Sequence, residues 1–242
     1  MVVDLRNTAI PFFISPKIHT PFAKITAAKN HKKVNHLNRL KSICDVPSES
    51  KQRFSIHIPK DDTQYIEDIF RQELNGQGRI VVVGPGAANN IKRWTTDGYA
   101  KLCDHLIERY RYSVVLVGDE SDIPIAQIIT GQMRNPCLNL CGLTTLVQMA
   151  EVLRRASLVI ANDSAIMHMA SYLDIPTVAI FGPTDPKKYG PWSSKQAVVR
   201  KDLFCSPCEK SGCAYKHECM EELKTEEVLE AVELILKDTG RQ

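Results

Sequence analysis

Residues 156–183 read ASLVIANDSAIMHMASYLDIPTVAIFGP. The apolar run at 158–160 predicts a buried strand, the apolar face at 167–173 a short helix, and the run at 177–181 a second strand. A strand, a helix and a strand joined by short turns form a parallel β-α-β unit. This stretch therefore predicts an α/β fold with a parallel sheet.

The same alternation continues towards both ends of the chain. The further predictions are strands at 80–83, 113–117 and 137–140, and helices at 99–110, 123–130, 146–153 and 228–236. Repeated units of this kind imply a parallel sheet covered on both faces by helices. Ligands bind such sheets beyond the carboxyl ends of the strands, so the turns after the strands are the first places to search for chemistry.

Composition and charge narrow the class of protein. The chain has 242 residues, 43% of them hydrophobic, and a net charge of +3, which is too small to indicate a nucleic-acid-binding protein. No apolar run approaches the roughly 18 residues of a membrane-spanning helix, and the charged start is a poor secretory signal, so we expect a cytoplasmic protein. Residues 17–41 are basic without any acid, which indicates either a solvated surface or a patch facing an anionic membrane or acceptor.

Three motifs follow predicted strands. Residues 84–94, GPGAANNIKRW, offer small residues for close backbone approach and a lysine for a phosphate. Residues 162–168, NDSAIMH, place Asp163 or Ser164 at a helix start, where free amides favour a diphosphate. Residues 181–192 form a loop rich in proline and glycine that can shape a sugar pocket. Each motif alone is equally consistent with an ordinary turn or capped helix.

Taken together, in order and spacing, these motifs resemble the bacterial lipopolysaccharide heptosyltransferases, glycosyltransferase family 9, over residues 79–237. The resemblance implies the GT-B arrangement of two Rossmann-like domains, with inverting transfer of heptose from ADP-heptose to a lipopolysaccharide core acceptor and no required metal. We expect residues 76–242 to form the complete nucleotide-sugar-binding domain. Residues 1–75 would be a remnant of the acceptor-side domain with a linker. Contact with the inner membrane, if any, would be peripheral.

The resemblance also implies which residues bind the donor. They are Ala87, Ala88, Lys92, Asp122, Leu143, Asp163, Ser164, Ala165 and His168. Lys92 matches the lysine that binds the diphosphate, and Asp163 matches the residue that holds the heptose hydroxyls. Asp122 corresponds to an acid on the ribose, and Leu143 to a position lining the adenine pocket. Ser164, Ala165 and His168 fall at the diphosphate end of the helix.

Two departures from the family pattern bear on activity. Ala165 and Ile166 stand where the family usually has Gly-Pro, and a methyl group there would narrow the approach of a phosphate. In addition, no residue matches the general base of the N-terminal domain, which inverting transfer requires, and Asp4 belongs to a later strand. We therefore expect an N-terminally shortened chain that binds donor without competent catalysis.

Four cysteines near the C-terminus follow the spacing C-x2-C-x4-C-x5-C. They are Cys205, Cys208, Cys213 and Cys219. The spacing leaves two interpretations open, a structural zinc site or partly buried thiols that order a loop. For the whole chain, two further hypotheses stand beside the transferase. One is a non-catalytic remnant that binds a nucleotide sugar, and the other is a different GT-B enzyme such as a UDP-sugar epimerase.

Overall fold

The computed structural model describes residues 30–41, 43–45, 56–74 and 78–238. Asp4 and the first part of the basic stretch, residues 17–29, lie outside the described residues. The chain divides into two compact units, Met1–Arg53 with Lys187–Tyr189, and Phe54–Pro186 with Gly190–Gln242. The division into domains expected between residues 75 and 76 stays a prediction.

A sheet of six parallel strands forms the centre of the larger unit. The strands are β1 (Ile80–Gly84), β2 (Ser113–Leu116), β3 (Leu138–Asn139), β4 (Ala156–Asn162), β5 (Thr177–Ile180) and β6 (Gln196–Val199). Their order across the sheet is β3-β2-β1-β4-β5-β6. Because the chain moves outwards in opposite directions from β1 and β4, the topological switch point lies between these two neighbours.

Helices cover both faces of this sheet. The helices of the described residues, in both units, are α1 (Lys32–Lys41), α2 (Lys60–Glu73), α3 (Thr96–Tyr110), α4 (Ile123–Gln132), α5 (Leu146–Arg154), α6 (Ala165–Tyr172), α7 (Pro186–Tyr189), α8 (Glu218–Glu221) and α9 (Thr225–Asp238). Helices α3, α4 and α9 pack together on one side, and α2, α5 and α6 on the other. None of the helices in the described ranges is long and apolar enough to cross a bilayer.

The alternation of side chains along each strand explains the two packed layers. Val81, Leu158 and Val178 point to the face shared with α3 and α9 and are fully buried. The intervening Val82 and Val159 are equally inaccessible to solvent, so both faces of the central strands are covered. This burial is why the strands appear in the sequence as continuous apolar runs.

Two elements differ from the sequence-based expectation. Strand β6 was not predicted, because it has four residues and only Val199 is buried. Helix α6 begins at Ala165, two residues before the start that its apolar face predicted. The preceding loop sets where a helix starts, and the spacing of apolar residues does not mark that point.

Candidate functional site

Asn162, at the end of β4, joins the loop after β4 to the loop after β1. Its side-chain amide donates to the Pro85 carbonyl over 2.7 Å, and its Oδ1 accepts from the Trp94 backbone amide over 3.1 Å. Asn162 is completely buried, so both bonds are shielded from water. They hold the ends of the 85–94 loop against β4, at the switch point of the sheet.

The next residue, Asp163, forms an ion pair with Lys92 from the neighbouring loop. The Lys92 Nζ lies 2.7 Å from Asp163 Oδ2, and the Asp163 side chain is only 6% exposed. A charged group is rarely buried unless it is paired. The lysine and the aspartate of the two motifs, 71 residues apart in the chain, therefore meet at one rim.

Two further side chains surround Asp163. The Thr184 hydroxyl, in the loop after β5, donates to Asp163 Oδ2 over 2.8 Å. The His168 Nε2 lies 3.8 Å from Asp163 Oδ1. The His168 ring stacks on Trp192 with centroids 5.5 Å apart and an interplanar angle of 23°. The loop at 181–192 thus contributes to the site a hydroxyl that anchors the aspartate and an aromatic ring that covers the histidine.

A cavity of about 430 Å³ opens beside this cluster. Its walls come from the loops after β1, β2 and β4 and from the first turns of α5 and α6. The lining residues are Gly86, Ala87, Ala88, Arg93, Gly118, Asp119, Ser121, Asp122, Thr144, Thr145, Leu146, Met149, Asp163, Ser164, Ala165, Ile166 and Met169. A cavity of this size, mostly apolar with a few polar groups, is typical of a small-molecule site.

Asp122 lies on the β2 side of this cavity and is almost fully buried. Burial and the nearby charge of Asp119 raise its pKa above the usual value, although the Asp119 backbone amide and Arg93 act in the opposite direction. Gly86 has to be a glycine here, because a Cβ would collide with the Asp122 carboxylate. The Arg93 guanidinium, held by the Ala87 carbonyl at 3.0 Å, approaches Asp122 Oδ1 to 3.5 Å.

Two hydroxyl groups at the cavity have no hydrogen-bond partner among the residues that the structure describes. Ser164 occupies the N-cap position of α6 but makes no capping hydrogen bond, and its Oγ is buried. The Thr144 Oγ1, in the loop before α5, is likewise buried and unpartnered. A buried polar group without a partner is unfavourable, so both positions suit a polar ligand.

The chain matches the family model described as Glycosyltransferase family 9 (heptosyltransferase) over residues 8–218. The chain belongs to glycosyltransferase family 9. It is 34% identical, over 171 aligned residues, to lipooligosaccharide heptosyltransferase 2 of Campylobacter jejuni. The alignment covers 68% of this chain and 53% of that relative. The chain thus spans about half the length of the curated relatives it matches.

Solved structures of family 9 proteins share the fold. The ADP-heptose lipopolysaccharide heptosyltransferase II of E. coli aligns with a TM-score of 0.75 and 22% identity, over 98% of this chain and 76% of that one. The family 9 glycosyltransferase of Veillonella parvula aligns with a TM-score of 0.78 and 24% identity, over 94% of this chain and 65% of that one. Both place the chain in the GT-B fold class expected from the sequence.

The nine residues implied by the family resemblance fall into three groups. Six of them line the cavity, namely Ala87, Ala88, Asp122, Asp163, Ser164 and Ala165. Lys92 and His168 adjoin it through Asp163. Leu143 does not line the cavity, and the residue is 59% exposed. The next three residues, Thr144, Thr145 and Leu146, line this part of the wall instead.

Sequence reasoning missed two polar residues of the site. Arg93 was quoted only as part of the motif at 84–94, without a role, yet it lines the cavity. Thr184 was quoted only as part of a turn-rich loop. A polar residue in the loop that follows a buried strand was the available signal, because these loops lie at the ligand edge of a parallel sheet.

The four C-terminal cysteines surround a separate cavity of about 270 Å³. Burial, together with the three neighbouring cysteines, raises the pKa of Cys219 to about 11, so this thiol stays protonated at neutral pH. Within the described part of the chain, no three His, Cys, Asp or Glu side chains are grouped so as to hold a metal ion. As arranged here, the cysteines do not fit the zinc site that their spacing had left open.

Proposed function

We propose that this chain binds a nucleoside-diphosphate sugar of the ADP-heptose type in the cavity between the loops after β1 and β4. The observation that carries the proposal is the meeting of Lys92 and Asp163 at the N-terminal end of α6. A cation and free helix amides suit a diphosphate, whereas a carboxylate suits sugar hydroxyls. The E. coli structure of the same fold is described as an ADP-heptose lipopolysaccharide heptosyltransferase, which supports the choice of donor.

The proposed reaction is inverting transfer of heptose to a lipopolysaccharide core acceptor. In this chain, Lys92 and the α6 amides would neutralise the charge that develops on the departing diphosphate. Asp163 would hold the sugar by its hydroxyl groups, and the buried Asp122 would accept from the ribose. Deprotonation of the acceptor hydroxyl also needs a general base.

A thermal-shift comparison tests the donor. ADP-heptose should raise the melting temperature more than UDP-N-acetylglucosamine does, because a ligand that binds only the folded state stabilises it in proportion to its affinity. Equal or reversed stabilisation would instead support the epimerase alternative. A transferase assay on the same preparation then separates an enzyme from a binding module without turnover.

We further propose that the chain contacts the inner membrane peripherally from the cytoplasmic side. Helix α1 carries Lys32, Lys33 and Lys41 at accessible positions and has no acidic residue, while its Arg39 is buried. Basic segments of this kind are attracted to anionic lipid surfaces. Co-sedimentation with anionic vesicles at low salt, but not with neutral vesicles, is the expected result; equal recovery with both would contradict it.

A further inference from the structure

Thr184 and Lys92 donate to the same oxygen of Asp163. The Thr184 hydroxyl reaches Oδ2 at 2.8 Å and the Lys92 Nζ reaches it at 2.7 Å. The other oxygen, Oδ1, lies on the side of His168, whose Nε2 is 3.8 Å away. The carboxylate is therefore oriented, with Oδ2 held by two donors.

These two anchors differ in what they do when an anion enters. The Lys92 side chain is 29% exposed, and its ammonium is a mobile charge that a diphosphate would attract. Thr184 is only 8% exposed, and its hydroxyl carries no charge. When Lys92 is shared with a diphosphate, Thr184 is the donor that continues to hold Asp163 Oδ2.

We propose that Thr184 is a positioning residue that keeps Asp163 aimed at the sugar half of the donor while Lys92 turns to the diphosphate. The inference rests on the proposed function, because it assigns the two halves of one ligand to two sides of Asp163. It predicts a selective effect: losing the Thr184 hydroxyl should weaken the binding of ADP-heptose but not that of ADP, which has no sugar to hold.

Thr177 provides a matched control within the same strand-loop segment. It is a completely buried threonine at the start of β5, and its hydroxyl donates to the Ile175 carbonyl over 2.7 Å. Replacing either threonine with valine removes one buried hydrogen bond while conserving shape. Only Thr184 touches the site, since Thr177 lies at the opposite end of β5.

The experiment is isothermal titration of wild type, Thr184→Val, Thr184→Ser and Thr177→Val with ADP and with ADP-heptose. For Thr184→Val we expect the Kd of ADP-heptose to rise about 10-fold or more, as for a lost hydrogen bond to a charged group, while the Kd of ADP stays within about 2-fold. Thr184→Ser should restore binding, and Thr177→Val should leave both constants unchanged. Melting temperatures without ligand verify folding, and Thr184→Ala replaces the valine variant if that one unfolds.

The outcomes separate the two proposals. If wild type binds ADP-heptose and Thr184→Val weakens both ligands equally, or neither, Thr184 is not a positioning residue and the proposed function stands. If wild type binds neither ligand, or binds ADP-heptose no more tightly than ADP, the proposed function fails. The role of Thr184 then fails as well.

Discussion

The Lys92 Nζ lies 2.7 Å from Asp163 Oδ2, although 71 residues separate the two in the chain. Parallel strands β1 and β4 are neighbours, with Val83 beside Ile160 and Gly84 beside Ala161, so the loops that follow them emerge side by side. The ion pair is thus a consequence of strand order. It places a cation and a carboxylate where the sheet opens between its two halves.

Replacing Lys92 with alanine should weaken ADP binding by about 1.5–3 kcal/mol, the range for hydrogen bonds to charged groups. Titration calorimetry measures the change. Lys101→Ala is the matched control, because Lys101 pairs with Asp97 on the exposed face of α3 and lies away from the cavity lining. Unchanged ADP affinity in Lys92→Ala would remove this lysine from the site.

Asn162→Ala should lower the free energy of unfolding by about 2–4 kcal/mol, because it leaves the Trp94 amide and the Pro85 carbonyl buried without their partner. Urea denaturation measures the loss. Gln127→Ala on the exposed face of α4 should change it little. A loss no larger than that of Gln127→Ala would show that the two loops are held together in another way.

Asp122→Asn should stabilise the protein at pH 7. The pKa of Asp122 is raised in the folded state, mainly by burial and then by Asp119, so its ionisation opposes folding. Its contribution to stability is present below the unfolded pKa and is lost as the pH rises through the folded pKa. The melting temperatures of Asp122→Asn and wild type should therefore differ at pH 7 and converge as the pH falls towards 3.8. A difference that widens on acidification would contradict a raised pKa of Asp122.

Asp104→Asn should have the opposite pH dependence. Burial opposes ionisation of Asp104, yet hydrogen bonds from Asn135 and Arg134 outweigh it and hold the pKa below its usual value. Its contribution to stability is present above the unfolded pKa and is lost as the pH falls through the folded pKa. The variant should melt lower than wild type at pH 7, and the gap should narrow in acid. If the difference in melting temperature between the variant and wild type were as large at pH 2 as at pH 7, it would not come from the ionisation of Asp104.

The sequence was sufficient for the fold because the central strands are buried on both faces. Val81–Val83 and Leu158–Ile160 therefore appear as uninterrupted apolar runs, and parallel strands order their following turns along one edge. The short edge strand β6 was not predicted, because a single buried residue gives no apolar pattern in the sequence. The spacing of apolar residues predicts helices and strands, but it does not predict the conformation of the irregular loops between them.

The site was only partly predictable for a related reason. Asp163 and Lys92 belong to motifs with a resemblance to known proteins, whereas the bond from Thr184 to Asp163 joins two loops 21 residues apart and follows no periodic rule. Leu143 was placed by its position in a motif, but it follows the turn at Gly142, where φ is 73°, and the residue is 59% exposed. Backbone conformation in loops decides such directions, and sequence spacing does not.

The most direct test of the central claim is a crystal structure of this chain with ADP-heptose. We predict pyrophosphate oxygens within hydrogen-bond distance of Lys92 Nζ and of the backbone amides at the start of α6, with the sugar hydroxyls on Asp163. A pyrophosphate that binds away from the α6 start, for example in the cavity of the four cysteines, would contradict the account.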